Sequence, residues 1–497
     1  MPAQVTTLRR HASLDRLSDR RLLRELAYVN GAWIAGTTAD SFDVIDPANG
    51  ESLAWVAALE ADQVGVAIDA ASEAFPKWRA LLPQERARLL RKWYDLMIAA
   101  KDDLALLMTL EQGKPLTESR GEIDYAASFI EWYAEEAKRL NAESVTSHLP
   151  GAEMVVRREA LGVIGIATPW NFPSAMLTRK AAAALAAGCT IVAHPSSETP
   201  LSALALAELG ERAGLPAGVF NIVTGDAATI VGRLCDDPRI RAVSFTGSTE
   251  VGRVIAARCA PTIKRLALEL GGHAPLIVFA DADIERAVSI ALDAKFATSG
   301  QDCLAANRIY VQRPIYQAFC AAFNKRIAAL QVGNGLSDGV EIGPLMHERA
   351  IRKVEAQVAD ALAQGAKLLS GGQRHAAGRL FYQPTLLVDV PDTATIMCDE
   401  TFGPVAAVTP FDREDEVIAR ANNTEYGLVA YVVTENGARQ RRLGAALAYG
   451  MIAINRVKIT GAPIPFGGVK QSGLAREGSR HGIEAFTELK YLCFDAA

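Results

Sequence analysis

Three residues of this chain have the types and surroundings that carbonyl chemistry needs. Cys303, in GQDC, follows a glycine turn and precedes a strand-like run. A cysteine at the start of a helix there would have a lowered pKa, and the thiolate is the attacking form. Glu269, in LELGG, ends an apolar run with two glycines behind it. A carboxylate in apolar surroundings has a raised pKa and can serve as a base. Asn171, in TPWNFP, lies between two prolines just after the strand-like GVIGIA. Its side-chain amide can hold a developing oxyanion. Taken singly, each has a plainer reading: an inert buried thiol for Cys303, a surface Glu closing a helix or strand for Glu269, and a turn residue for Asn171.

Other segments suit a dinucleotide. FTGSTEVG, from Phe245 to Gly252, follows a short strand pattern and opens a helical one. Gly247 lets the backbone approach a diphosphate, and the helix start offers free N–H groups. The spacing is not GxGxxG, so alone it reads equally as a glycine turn. His194, in IVAHPSSETP, stands just past a strand, where a polar side chain can reach a ribose or simply belong to a capped turn. Glu400, in ETFGPV, reads by itself as a surface turn residue.

The elements that must carry these residues alternate. From about Asp62 to Leu140 the apolar spacing is helical. From Val155 to Leu270 short β-branched runs alternate with helical patterns, which predicts a parallel, Rossmann-like sheet covered by helices. A second alternating series begins at APLIVF, from Ala274 to Phe279, and predicts another α/β unit. The terminal KYLCF is a short strand that needs a partner in the chain or on another subunit.

Composition sets outer bounds. The chain has 497 residues, 50% hydrophobic and 22% charged, with a formal net charge of -5. That is an ordinary globular balance, and the absence of basic blocks argues against nucleic acid binding. The most apolar stretch, Ala181 to Ala193, falls short of the ~18 residues a membrane span needs. The seven cysteines include no CxxC pair or zinc-type cluster, which fits a reducing, cytoplasmic compartment. The arginine-rich opening, MPAQVTTLRRHASLDRLSDRRLLRE, lacks an apolar secretory core, and its acidic residues argue against an organellar address.

In their order and spacing, TPWNFP, FTGSTEVG, LELGG, GQDC, ETFGPV and PFGGVKQSGLARE resemble the successive signatures of the aldehyde dehydrogenase superfamily. The resemblance runs from about Asn30 to Leu492, and an ordered set of motifs is far more specific than any one. Within the superfamily, MTLEQGKPLTESRGEIDYAASFIEWYAEEAKR and RAGLPAGVFNIVTG are most similar to the succinate-semialdehyde dehydrogenase group.

The resemblance implies an α/β fold with three parts. These are a Rossmann-like cofactor domain (1–140 and 160–268), an α/β catalytic domain (269–481) and a small β oligomerisation flap (141–159 and 482–497). It implies a homodimer or homotetramer that oxidises an aldehyde with NAD or NADP. In that reading Cys303 is the nucleophile, Glu269 the water-activating base and Asn171 an oxyanion donor. Trp170, His194, Ser197, Gly247, Ser248, Glu400 and Phe402 are cofactor residues, and Lys180 and Glu488 support proton handling.

Departures from the family pattern bear on specificity. His194 replaces a usual Lys, and Ser197 replaces the Glu common in NAD-preferring members, which leaves NAD and NADP both open. Of the two arginines that hold a distal carboxylate, Arg179 is present and the second falls on Ala297. Either Arg456 and Lys458, new in the loop before PFGG, restore the clamp, or the substrate is an aromatic or longer aldehyde. Ala305 stands where a second cysteine is common, so a disulfide switch at that place is excluded.

Overall fold

The computed structural model describes residues 11–38 and 40–495. The first ten residues of the opening weighed as an organellar address lie outside them. The larger sheet has eight strands, in the order Gly473–Leu474, Arg265–Glu269, Ile240–Thr246, Val163–Ala167, Thr190–His194, Phe220–Ile222, Ala27–Val29 and Ala32–Ile34. The five strands from Arg265–Glu269 to Phe220–Ile222 are parallel, and the outer ones are antiparallel. The chain order reverses between Val163–Ala167 and Ile240–Thr246. Ligands of open parallel sheets bind at such a switch point, beyond the carboxyl ends of the strands.

Helix Pro173–Ala187, which follows the switch strand, is buried along its whole length. Its eight small residues of alanine and serine type suit that position, since alanine has high helix propensity and lets neighbours pack closely. Helices Ala61–Ala80, Pro83–Ala99, Lys101–Gln112 and Leu116–Glu136 fill the helical stretch read from periodicity.

The second sheet has seven strands, in the order Lys367–Ser370, Thr385–Val388, Val405–Phe411, Ala306–Gln312, Ala274–Val278, Val429–Val433 and Met451–Ile454. All its pairs are parallel except the first. Its strands are apolar nearly throughout, as expected when helices cover both faces.

KYLCF finds its partner within the chain. Thr487–Asp495 pairs antiparallel with Ala152–Ala160, which pairs with Glu143–Val145. The boundary read at 268 is crossed by strand Gly473–Leu474, which joins the first sheet beside Arg265–Glu269. This short antiparallel strand covers part of the edge that Arg265–Glu269 would otherwise present. Among the described residues no helix is long and apolar enough to cross a membrane. Nor do three or more His, Cys, Asp or Glu gather at metal-binding distance among them.

Candidate active site

The two sheets meet end to end. Thr168–Pro173, Gly247 and Glu269 lie at carboxyl ends of first-sheet strands, whereas Cys303 and Glu400 lie just before the second-sheet strands Ala306–Gln312 and Val405–Phe411. The turn after Glu269 brings the halves into contact. A Cβ on Gly272 would lie 2.2 Å from the carbonyl oxygen of Cys303, so only glycine fits. The Gly272 N–H donates to Glu400 Oε1 at 3.0 Å.

Cys303 is half-buried in a turn after the 3-10 segment Ala297–Gly300. The expected helix start is absent, and the expected lowered pKa is reversed. Burial pushes the thiol well above its ordinary value, the neighbouring Asp302 carboxylate adds to the rise, and Arg179 opposes it. The resting side chain is therefore a protonated thiol at neutral pH. Thr298 and Ser299, just before it, both have left-handed backbones at φ 50° and 57°. Such residues cost about 1–3 kcal/mol each and persist where the surroundings enforce them. Here Glu118 accepts from the Thr298 N–H with both oxygens at 3.1 Å, and Ser299 Oγ donates to the Gly343 carbonyl.

Asn171 is buried, and its Nδ2 donates to the Gln301 carbonyl at 3.1 Å. That bond uses one N–H of the amide and leaves the second for a substrate oxygen. Glu269 ends its strand buried, and neither of its oxygens has a hydrogen-bond partner among the described residues. Burial raises its pKa well above 4.5, Glu477 raises it further, and Arg179 and Lys180 pull the other way.

Glu477 is the acidic centre missed in the sequence. It pairs with both Lys180 and Arg179, and all three side chains are buried. Glu488, the acidic residue expected to act with Lys180, is instead exposed, on an edge strand Thr487–Asp495 that is exposed on both faces along most of its length. Glu477 was legible only as the last acid of SGLARE. Burial disfavours the charge on Lys180 and lowers its pKa, while Glu477 opposes that.

Arg179 stands beside this centre with its guanidinium 4.3 Å from the Phe466 ring. Burial works against its charge, but Glu477, Tyr125, Glu269 and Cys303 together raise its pKa. Its Nη2 has no hydrogen-bond partner among the described residues. Tyr125 lies against both Arg179 and Thr460. Arg456 and Lys458 are not brought to this pocket. Both are exposed, and Arg456 Nε donates to the Lys458 carbonyl, whereas the alternate residues Val457 and Ile459 pack inward on the core. Ala297 is exposed at the start of the turn that leads to Cys303.

The residues read for a cofactor cluster on the other side. Ser248 caps helix Thr249–Cys259, its hydroxyl accepting from the Val251 N–H. A Cβ on Gly247 would fall 2.3 Å from the Phe245 ring, so this glycine is required by space and not by backbone angle. Ser197 Oγ donates to the Gly225 carbonyl at 3.0 Å, and both residues line a cavity of about 890 Å³ with Asp226 and His347.

His194 is buried, with Nδ1 on the Val223 carbonyl and Nε2 without a partner among the described residues. Burial lowers its pKa, so the ring is neutral at neutral pH. Trp170 packs edge-on to Phe402 at 5.5 Å and to His347 at 5.9 Å. Phe402 itself is left-handed at φ 53°. Glu400 is not the surface residue its turn suggested: burial raises its carboxyl to about 7. A helix N-terminus capped by Ser248 and a mainly apolar cavity lined by Ser197 are features that suit a dinucleotide.

A family model described as the aldehyde dehydrogenase family matches residues 33–492. The chain is 52% identical to succinate-semialdehyde dehydrogenase [NADP(+)] GabD of Escherichia coli (strain K12), over 96% of this chain and 99% of that one. It is also 52% identical to the glutarate-semialdehyde dehydrogenase of Pseudomonas aeruginosa, with the same coverage. The crystal structure of succinate-semialdehyde dehydrogenase from Burkholderia pseudomallei superposes with a TM-score of 0.96 at 48% identity. That match covers 97% of this chain and all of the other.

Proposed function

The chain belongs to the aldehyde dehydrogenase family, and from that premise we propose that it oxidises a short semialdehyde with a distal carboxylate, succinate semialdehyde first among them, to the acid with NAD or NADP. The observation that carries the substrate class is Arg179. It is a buried guanidinium near Cys303, with one nitrogen unpartnered. A planar cation in that place suits a carboxylate held at the far end of the substrate from the aldehyde.

The chain's own groups then divide the chemistry. Cys303 gives its thiol proton to solvent, and the thiolate Sγ attacks the aldehyde carbon and forms a thiohemiacetal. The new oxyanion takes the free N–H of Asn171, a donor of a kind worth about a hundred- to a thousandfold in rate. Bound nearby, NAD or NADP supplies the hydride acceptor that oxidises this carbon to a thioester. Glu269 takes a proton from water as it attacks that thioester, and its buried, unpartnered oxygens suit a base. Gly247 and Ser248 would meet the diphosphate, His194 and Ser197 the adenosine ribose, Glu400 the nicotinamide ribose, and Trp170 and Phe402 would flank the nicotinamide.

Residues 1–140 and 160–268 form the cofactor unit, 269–481 the catalytic unit, and 141–159 with 482–497 the flap, with strand Gly473–Leu474 added to the cofactor sheet. The outer strand of the flap exposes Leu489, Tyr491 and Phe494. An exposed apolar edge strand supports assembly as a homodimer or homotetramer. A cytoplasmic setting fits seven unpaired thiols.

Exposed Ala297, where an arginine was expected, favours a second reading: a longer semialdehyde or an aromatic aldehyde. A panel of succinate semialdehyde, glutarate semialdehyde and benzaldehyde, each with NAD and NADP, separates the two by kcat/KM. A preference for benzaldehyde would overturn the carboxylate reading, and no reduced nicotinamide with any aldehyde would overturn the enzyme reading.

A further inference from the structure

Lys114 lies in the short connection between helices Lys101–Gln112 and Leu116–Glu136, far from the motifs read as catalytic. It is nonetheless buried, and its ammonium is fully engaged. Nζ donates to Glu122 Oε2 at 2.6 Å and to the Asn171 backbone carbonyl at 2.7 Å, and it sits 4.1 Å from the centre of the Phe172 ring. Glu122 completes the bracket. Its other oxygen accepts from the Ser174 and Ala175 N–H groups, which begin the helix after Asn171. The start of helix Leu116–Glu136 supplies Glu118, which holds the Thr298 N–H in the turn before Cys303.

A surface lysine would be solvated, and a lysine with a purely structural role needs only its carboxylate. This one spends a donor on the carbonyl of the residue whose side chain faces the nucleophile's turn. We propose that Lys114 is a positioning residue: it fixes the backbone of Asn171 so that the Asn171 amide meets the oxyanion formed on Cys303. The proposal rests on the oxyanion role given to Asn171 above. A misplacement of about 1 Å in such a donor costs about a hundredfold.

The test is a double-mutant cycle on the full chain, using Lys114→Met, Asn171→Ala and both together, with succinate semialdehyde and saturating cofactor. Lys114→Met should lower kcat about ten- to a hundredfold and leave cofactor Kd and the rate of Cys303 alkylation by iodoacetamide within about twofold. In the Asn171→Ala background the same change should lower kcat by less than about threefold, because the donor it positions is gone.

Full additivity, an unchanged kcat in Lys114→Met, or a parallel loss of Cys303 alkylation would each overturn the proposal. If Asn171→Ala itself keeps full activity, the oxyanion reading fails, and that result is distinguishable from failure of the Lys114 proposal alone. Should Lys114→Met not fold, because Glu122 is left buried and unpaired, Lys114→Met/Glu122→Gln removes both charges and is read against the same criteria.

Discussion

The side-chain amide of Asn171 donates to the carbonyl of Gln301 at 3.1 Å, joining residues 130 positions apart in the chain. One end is the turn that leaves the first sheet, and the other is the turn that delivers Cys303. The bond sets donor and nucleophile against each other before any substrate arrives, so substitutions around it should change the chemical step more than binding.

Glu269→Gln should separate the two halves of the reaction. The first hydride transfer does not need the base, so a burst of reduced nicotinamide close to the concentration of Cys303 is expected. Steady turnover should then fall by about a hundred- to ten-thousandfold. Stopped-flow absorbance reads both phases, and undiminished steady turnover would remove Glu269 from the mechanism.

The same variant should reveal what the buried carboxylate does to stability. The folded-state pKa of Glu269 is raised above 4.5. Its contribution is therefore fully present below about pH 4.5 and is lost as pH rises through the folded value. Glutamine is neutral throughout, so the gain in Tm from Glu269→Gln should be small near pH 5 and grow towards about pH 9. A gain that shrinks with pH would contradict the burial argument.

Activity should also climb with alkalinity. Cys303 reacts as thiolate, and burial together with Asp302 raises its pKa above the ordinary 9.0. In the enzyme without cofactor, the rate of iodoacetamide alkylation should rise about tenfold per pH unit from about pH 7 to 9. A plateau below neutral pH would show a thiolate already present at rest.

Arg179→Met should act on substrates selectively. Losing a charge-assisted bond of about 1.5–3 kcal/mol would raise KM for succinate semialdehyde about ten- to a hundredfold. The kcat/KM for propanal, which has no carboxylate, should change far less, because Lys180 still neutralises Glu477. Equal losses on both aldehydes would mean that Arg179 serves the site and not the carboxylate.

His194→Lys should shift cofactor preference. The native ring is buried and neutral, with Nε2 unpartnered, and gives a 2′-phosphate no positive charge. A lysine would supply one, and Kd for NADP measured by titration calorimetry should fall about tenfold or more relative to NAD. No change in the ratio would place the phosphate away from this wall.

The ordered motifs made the reacting groups legible: Cys303, Glu269 and Asn171 stand on turns that glycine and proline mark in the text. Periodicity found the helices from Asp62 to Leu140, and alternation found both sheets. What stayed hidden depends on contacts between distant segments. Lys114 and Glu122 look like an ordinary charged pair near a helix start, and only folding places Asn171 over them. Glu477 was passed over for Glu488 because acids near the end of the chain differ in burial, not in type. The Cys303 pKa was misread because its turn leads into a strand and not a helix, and burial, with Asp302 adding to it, pushes the thiol up. Arg456 and Lys458 have the right chemistry, yet the alternation of Val457 and Ile459 turns them to solvent.

The short strand Gly473–Leu474 has a consequence for biosynthesis. It is the last segment of the first sheet in chain order, and it pairs with the strand that ends in Glu269. Some two hundred residues separate the two in order of translation, so a nascent chain can assemble the nucleotide side early while the strand carrying the base keeps an open flank. Catalytic competence should therefore appear as one of the final events after synthesis. Until then the half-made protein would be able to grip a nucleotide without exposing an aldehyde to incomplete chemistry.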